Sequence, residues 1–157
     1  MSQKTCVLVI LALALIAGCS TSSVQIVPMP DQGVKLSNPE MVRIYLMRGG
    51  AVFSENKKLF VADGDTIIGA LGRDSYLCWD RPAKITQFKY YLDSGTRPTG
   101  ETQGNHRLVP EPGRTYYIEV SFPRGANRMK TDYLMEQYGA HLISKMEPAP
   151  LENPGAR

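Results

Sequence analysis

Between Met41 and Phe122 the chain is cut into short stretches that alternate apolar and polar residues, with Gly, Pro or Asp between them. That pattern excludes long helices and predicts strands with one buried face. In Met41–Met47, Val42, Ile44 and Leu46 alternate with Arg43 and Tyr45, and in Arg114–Phe122, Tyr116, Ile118, Val120 and Phe122 alternate with Thr115, Tyr117, Glu119 and Ser121. Further strands are predicted at Lys57–Ala62, Thr66–Ile68, Ser75–Asp80, Lys84–Leu92 and His106–Val109. Asp63-Gly64 separates two of these runs, and a hairpin turn there puts both central positions at positive φ. Turn signals recur about every 8 to 12 residues, the spacing of an all-β sandwich.

The expected fold is therefore mainly β, an antiparallel β-sandwich of about seven or eight short strands, with a short C-terminal helix. Met129–Leu134 reads as a last strand. Met135–Met146 carries Tyr138, Leu142 and Met146 at helical spacing, with Gly139 inside it as a weak point. The expected core is Val42, Ile44, Leu46, Leu59, Val61, Ile67, Leu77, Trp79, Phe88, Tyr90, Tyr116, Ile118 and Val120. Asp93–Asn105 is a polar loop longer than ordinary hairpin connections, and such loops are mobile or functional.

The start of the chain is of another kind. One Lys in Met1–Lys4 precedes a run of about 13 mostly apolar residues, the size of a signal-peptide core and short of the roughly 20 that span a bilayer. The run ends in Leu15-Ile16-Ala17-Gly18-Cys19, which resembles the bacterial lipoprotein lipobox. By that resemblance residues 1–18 are cleaved, Cys19 carries the lipid, and two or more acyl chains hold the protein stably on a membrane. Ser20 after Cys19, in place of an Asp, suits the outer membrane, with the domain facing the periplasm. Residues 19–38, with Pro28, Pro30 and Gly33, are expected to be a flexible tether to a domain at 39–146. Residues 147–157, with Pro148, Pro150 and Pro154, are expected to be a disordered tail.

Processing leaves Cys78 without an intrachain partner, and its neighbours Leu77 and Trp79 suit a buried core thiol. The formal net charge is +3, and the charges are scattered with no basic run, which gives no footprint for nucleic acid.

Three segments resemble a family of bacterial lipoprotein domains of unknown function: Val42-Arg43-Ile44-Tyr45-Leu46, Val61-Ala62-Asp63-Gly64 with Ile68-Gly69, and Pro112-Gly113-Arg114-Thr115-Tyr116-Tyr117-Ile118. Those domains are similar in pattern to PEGA-type surface-layer modules and to immunoglobulin-like or carbohydrate-binding-like sandwiches. The resemblance runs from about Pro39 to Met146 and departs at Arg81-Pro82-Ala83-Lys84, where a Pro-Gly-Lys turn is expected. It implies a sandwich fold and carries no catalytic residues.

Chemical motifs are sparse. His106 and His141 fall in no metal-ligand spacing, and no Gly-x-Ser-x-Gly elbow is present. Asp63-Gly64-Asp65 lacks the further acidic ligands of a calcium loop, and Gly69–Gly72 precedes no helix start for a phosphate. The expectation is a non-catalytic binding module of the cell envelope, without cofactor or metal, bound to the membrane through Cys19 and to an envelope protein or glycan. Tyr91 and Tyr117, one from each Tyr-Tyr pair, are the candidate contact residues. The alternatives are a carbohydrate- or peptidoglycan-binding module and a small envelope hydrolase with spatially paired carboxylates.

Overall fold

A computed structural model describes residues 23–49, 57–93, 95, 98, 102–122 and 129–152. The lipobox, Cys19, part of the 93–105 loop and residues 153–157 lie outside the described residues. In chain order the elements are β1 (Val24–Gln25), β2 (Met41–Arg48), β3 (Lys58–Asp63), β4 (Thr66–Leu71), β5 (Ser75–Pro82), β6 (Thr86–Asp93), β7 (Gly104–Leu108), β8 (Thr115–Ser121), β9 (Lys130–Leu134), α1 (Glu136–Ile143) and β10 (Glu147–Pro148). They form two facing sheets, in spatial order β1-β4-β3-β6-β7 and β10-β5-β2-β8-β9. The sandwich is mostly antiparallel, as its alternation predicts. Two pairs depart from that: β2 with β8 and β5 with β10 are parallel.

The inward residues of both sheets make one core. Val42, Ile44, Leu46, Leu77, Trp79, Ile118 and Val120 meet Leu59, Val61, Leu71, Phe88, Tyr90 and Leu108 across it. Burial of each large side chain contributes roughly 1.5–3 kcal/mol. Tyr116 lies partly buried against this core. Ile67 is half-buried, and Ile68 takes its core place, because a register shift at Val61/Ala62 re-aims β4. Asp63 ties the sheets together. Its carboxylate accepts from Trp79 Nε1 (3.1 Å) and Arg81 Nη1 (2.6 Å) of β5 and from Thr86 Oγ1 of β6.

The outer face of β2 is also covered. Tyr45 and Met47 join Tyr76 and Cys78 in a second cluster under Met29, Tyr117, Leu142, Ile143 and Met146. Gly139, which weakens the helical pattern in the sequence, is what lets α1 lie on the sheet: a Cβ there would stand 2.4 Å from Tyr117. Cys78 is buried and free, as its neighbours suggest.

Both terminal segments correct the expected boundaries. From Ser23 on, the supposed tether belongs to the sandwich, with Val24 and Gln25 paired to Ala70 and Gly69. The supposed tail is ordered through residue 152: β10 pairs with Ser75 and Tyr76, and Ala149 is buried. The physical reason is Gln25, which is fully buried. Its side-chain amide donates to Cys78 O (2.6 Å) and accepts from Cys78 N (3.0 Å), satisfying β5 just where β10 ends. Its backbone N–H donates to Pro150 O (2.7 Å), and its carbonyl accepts from Glu152 N (2.7 Å).

The β3–β4 turn is also shifted by one residue. Asp63 pairs with Thr66, so Gly64 and Asp65 are the two loop residues, and of these only Gly64 (φ 62°) has positive φ. Gly at the first loop position is the pattern of a type II′ hairpin.

Gly64→Val separates backbone strain from crowding, since nothing lies within 4 Å of a Cβ there. It should cost about 1–3 kcal/mol in urea unfolding. Gln25→Leu should cost about 2–4 kcal/mol, because it strands the Cys78 N–H and C=O. The same assay tests it, and an unchanged midpoint would refute the bridging role.

Candidate functional site

An open groove of about 1130 Å³ runs beside the start of β8. One wall is the segment Gln32–Leu36, the other is the passage from β9 into α1 at Tyr133–Glu136, and the Arg107–Arg114 stretch closes one end. Arg43 builds the first wall. Its guanidinium grips Asp80, its cross-strand neighbour, in a forked pair (Nε–Oδ1 2.8 Å, Nη2–Oδ2 3.0 Å). The remaining nitrogen donates to the carbonyls of Asp31 (3.1 Å) and Val34 (2.8 Å). The hydrogen bond to Asp80 raises the Arg43 pKa further above its ordinary value. A planar five-donor fork suits this task, which a lysine could not reproduce.

The floor is aromatic. Tyr45 and Tyr117 stack with rings 5.1 Å apart and 3° from parallel, and burial raises both hydroxyl pKa values. The Tyr116 hydroxyl accepts from Glu111 N (2.7 Å), which fixes the turn before β8. Tyr133 meets Tyr116 edge-on at 6.3 Å and hydrogen-bonds His106 Nε2, joining β9 to β7 of the other sheet. The rim is apolar: Val34, Val109, Tyr133 and Met135 are 54, 62, 48 and 81 % exposed. Lys35 and Arg107 stand among them, and among the described residues neither has a carboxylate at ion-pair distance. Arg114 is paired with Glu111 (2.8 Å) at a solvent-exposed site, where such a pair contributes about 1 kcal/mol or less.

Of the two candidate tyrosines, Tyr117 reaches the groove, though α1 covers much of it. Tyr91 does not: it lies on β6 of the other sheet, opposite Phe60 of β3. Tyr133, Met135 and Arg107 were not singled out in the sequence. Tyr133 stands at the junction of β9 and α1, and Arg107 in a polar edge strand without apolar alternation. Two carboxylates, Glu111 and Glu136, also line the groove, both on exposed residues, whereas a general acid of the glycosidase kind depends on a buried setting. Cys78 is buried beside Tyr45 of the floor, its cross-strand partner, and burial pushes its thiol up to about 12. Among the described residues no cluster of His, Cys, Asp or Glu could hold a metal ion, and no helix is long and apolar enough to cross a membrane.

No family model, no curated protein and no solved structure matches the chain.

Burial holds the His106 pKa below its ordinary 6.5. Below pH 6.5 the unfolded chain therefore binds the proton before the folded one does. Stability should be full above pH 6.5 and decline as the pH falls through the folded value. Urea midpoints at about pH 7.5 and pH 5 should show this decline, and His106→Gln should reduce it. Equal slopes for the two proteins would place the titrating group elsewhere.

Proposed function

We propose that the protein is a lipid-anchored, non-catalytic binding module of a bacterial envelope. Cys19 holds it on the periplasmic face of the outer membrane, and the tyrosine groove seats its ligand. The observation that carries the reading is the groove's combination of exposed Val34, Val109, Tyr133 and Met135 with the cations Lys35 and Arg107, which have no carboxylate at ion-pair distance among the described residues. Aromatic residues, Met and Arg are enriched where proteins meet, and charged rims choose the partner. The ligand that fits is an envelope protein presenting apolar side chains flanked by carboxylates.

A glycan is the second reading. The half-exposed Tyr133 ring, braced edge-on by Tyr116, favours it, because such a ring can stack on a sugar.

A photo-crosslinker at Met135 should capture one envelope protein in growing cells, and the same crosslinker at Tyr91 should not. Tyr133→Ala with Arg107→Glu should abolish the capture while leaving the urea midpoint within about 1 kcal/mol. Sedimentation with purified peptidoglycan that is lost in Tyr133→Ala would select the glycan reading. Capture at Tyr91 alone, with no sedimentation, would dismiss the groove.

A further inference from the structure

The length of chain between the lipidated residue and the first docked one fixes how the domain is mounted. Ser23 is already held: its hydroxyl donates to Ser75 Oγ (2.6 Å) and accepts from Gly72 N (2.8 Å). Only Ser20, Thr21 and Ser22 separate it from Cys19. Whatever conformation they take, that length of chain spans at most about 14 Å.

Strand register says which end of the sandwich this is. Ser75 pairs with both Arg48 and Glu147, and Arg48 pairs with Val120, so the Leu71–Ser75 turn, the end of β2 and the start of β10 share one end. Arg48 binds that end together, donating to Lys57 O (2.8 Å) and Leu71 O (3.1 Å). The groove belongs to the other end, where Arg43 pairs with Thr115, Met41 with Pro82, and Tyr117 with Leu134. The eight residues of β2 put about 23 Å between the two ends.

We infer that the end carrying Ser23, the Leu71–Ser75 turn and Glu147 lies against the lipid headgroups, and that the tyrosine groove opens at the far end, away from the bilayer. The inference rests on acylation of Cys19. A long stalk would let the domain tumble, whereas this one holds it within a headgroup layer's depth of the surface. Lys57 is exposed at the seated end and can approach lipid phosphates, as can the exposed Arg73 beside its ion-pair partner Asp74 (3.2 Å).

The full-length acylated protein in phosphatidylethanolamine–phosphatidylglycerol vesicles tests the inference. Cys78 is buried with a raised thiol pKa, so a dye can be directed to Arg73→Cys or Glu111→Cys, both at exposed sites. Energy transfer to headgroup-labelled lipid should be several-fold stronger from position 73 than from position 111. A flexible insert of about 15 residues between Ser22 and Ser23 should bring the two close to equal. Equal transfer without the insert, in protein that floats with the vesicles, overturns the mounting and leaves the anchor standing. An N-terminal peptide mass without acyl chains, in protein that fails to float, overturns both.

Discussion

One buried amide holds the closed edge of this sandwich. A sheet edge presents unpaired N–H and C=O groups, and a two-sheet protein must cover or pair them. β10 reaches only as far as Tyr76 along β5, and the next pair of backbone groups, at Cys78, is met by the Gln25 side chain. The Gln25 backbone meanwhile binds Pro150 and Glu152, so both terminal segments meet at one residue. Burying an amide is costly unless its donors and acceptor are satisfied. Here the oxygen has Cys78 N, and the nitrogen has Cys78 O and Val27 O.

The groove inherits this arrangement. Past Gln25 the chain crosses the outer face of β5, where Gln32 Oε1 accepts from the Tyr76 hydroxyl, and reaches β2, where Arg43 holds the carbonyls of Asp31 and Val34. One wall of the site is therefore not a loop of the sandwich but a strap laid over it. Its position is set by hydrogen bonds at both ends. The Arg43–Asp80 pair matters here for geometry more than for net stability, because desolvating two charges offsets much of their attraction. With Asp80 fixing the fork, the last guanidinium nitrogen can point only at the strap.

Apart from β7, the longer strands and the helix were legible because their period-two and period-four patterns are local, and β7, polar and without alternation, was legible from the turn signals that flank it. What escaped was set by partners far along the chain. Gln25 reads as polar filler until β5, 53 residues away, supplies its bonds. The prolines at 148 and 150 read as disorder until β5 pairs with β10 and Gln25 N donates to the Pro150 carbonyl. Ile67 and Ile68 exchange roles at a bulge that no alternation count detects. Tyr117 could be placed on an outward face from sequence, and it is on one. Its neighbours in the groove could not be found that way, since the parallel pairing of β2 with β8 brings Tyr45 beside it. Tyr91 looked equivalent in its strand and lies on the opposite sheet.

The strap is a site wall that the fold itself holds in place. If residues 23–38 were free, a partner would have to restrain them, and each immobilised side chain would cost about 0.5–1.5 kcal/mol of affinity. The Gln25 and Arg43 contacts meet that cost during folding, so the wall is in place before a ligand arrives. The same docking shortens the link to the proposed acyl anchor, and with that anchor it would confine the groove to a narrow range of heights above the bilayer. Effective concentration is greatest where the reach of a link matches the span to its target, and falls to almost nothing where the link is too short. A partner held within that range is favoured over an equally complementary one beyond it. Under the proposed anchor, height would join groove chemistry in setting specificity, through four residue steps of chain.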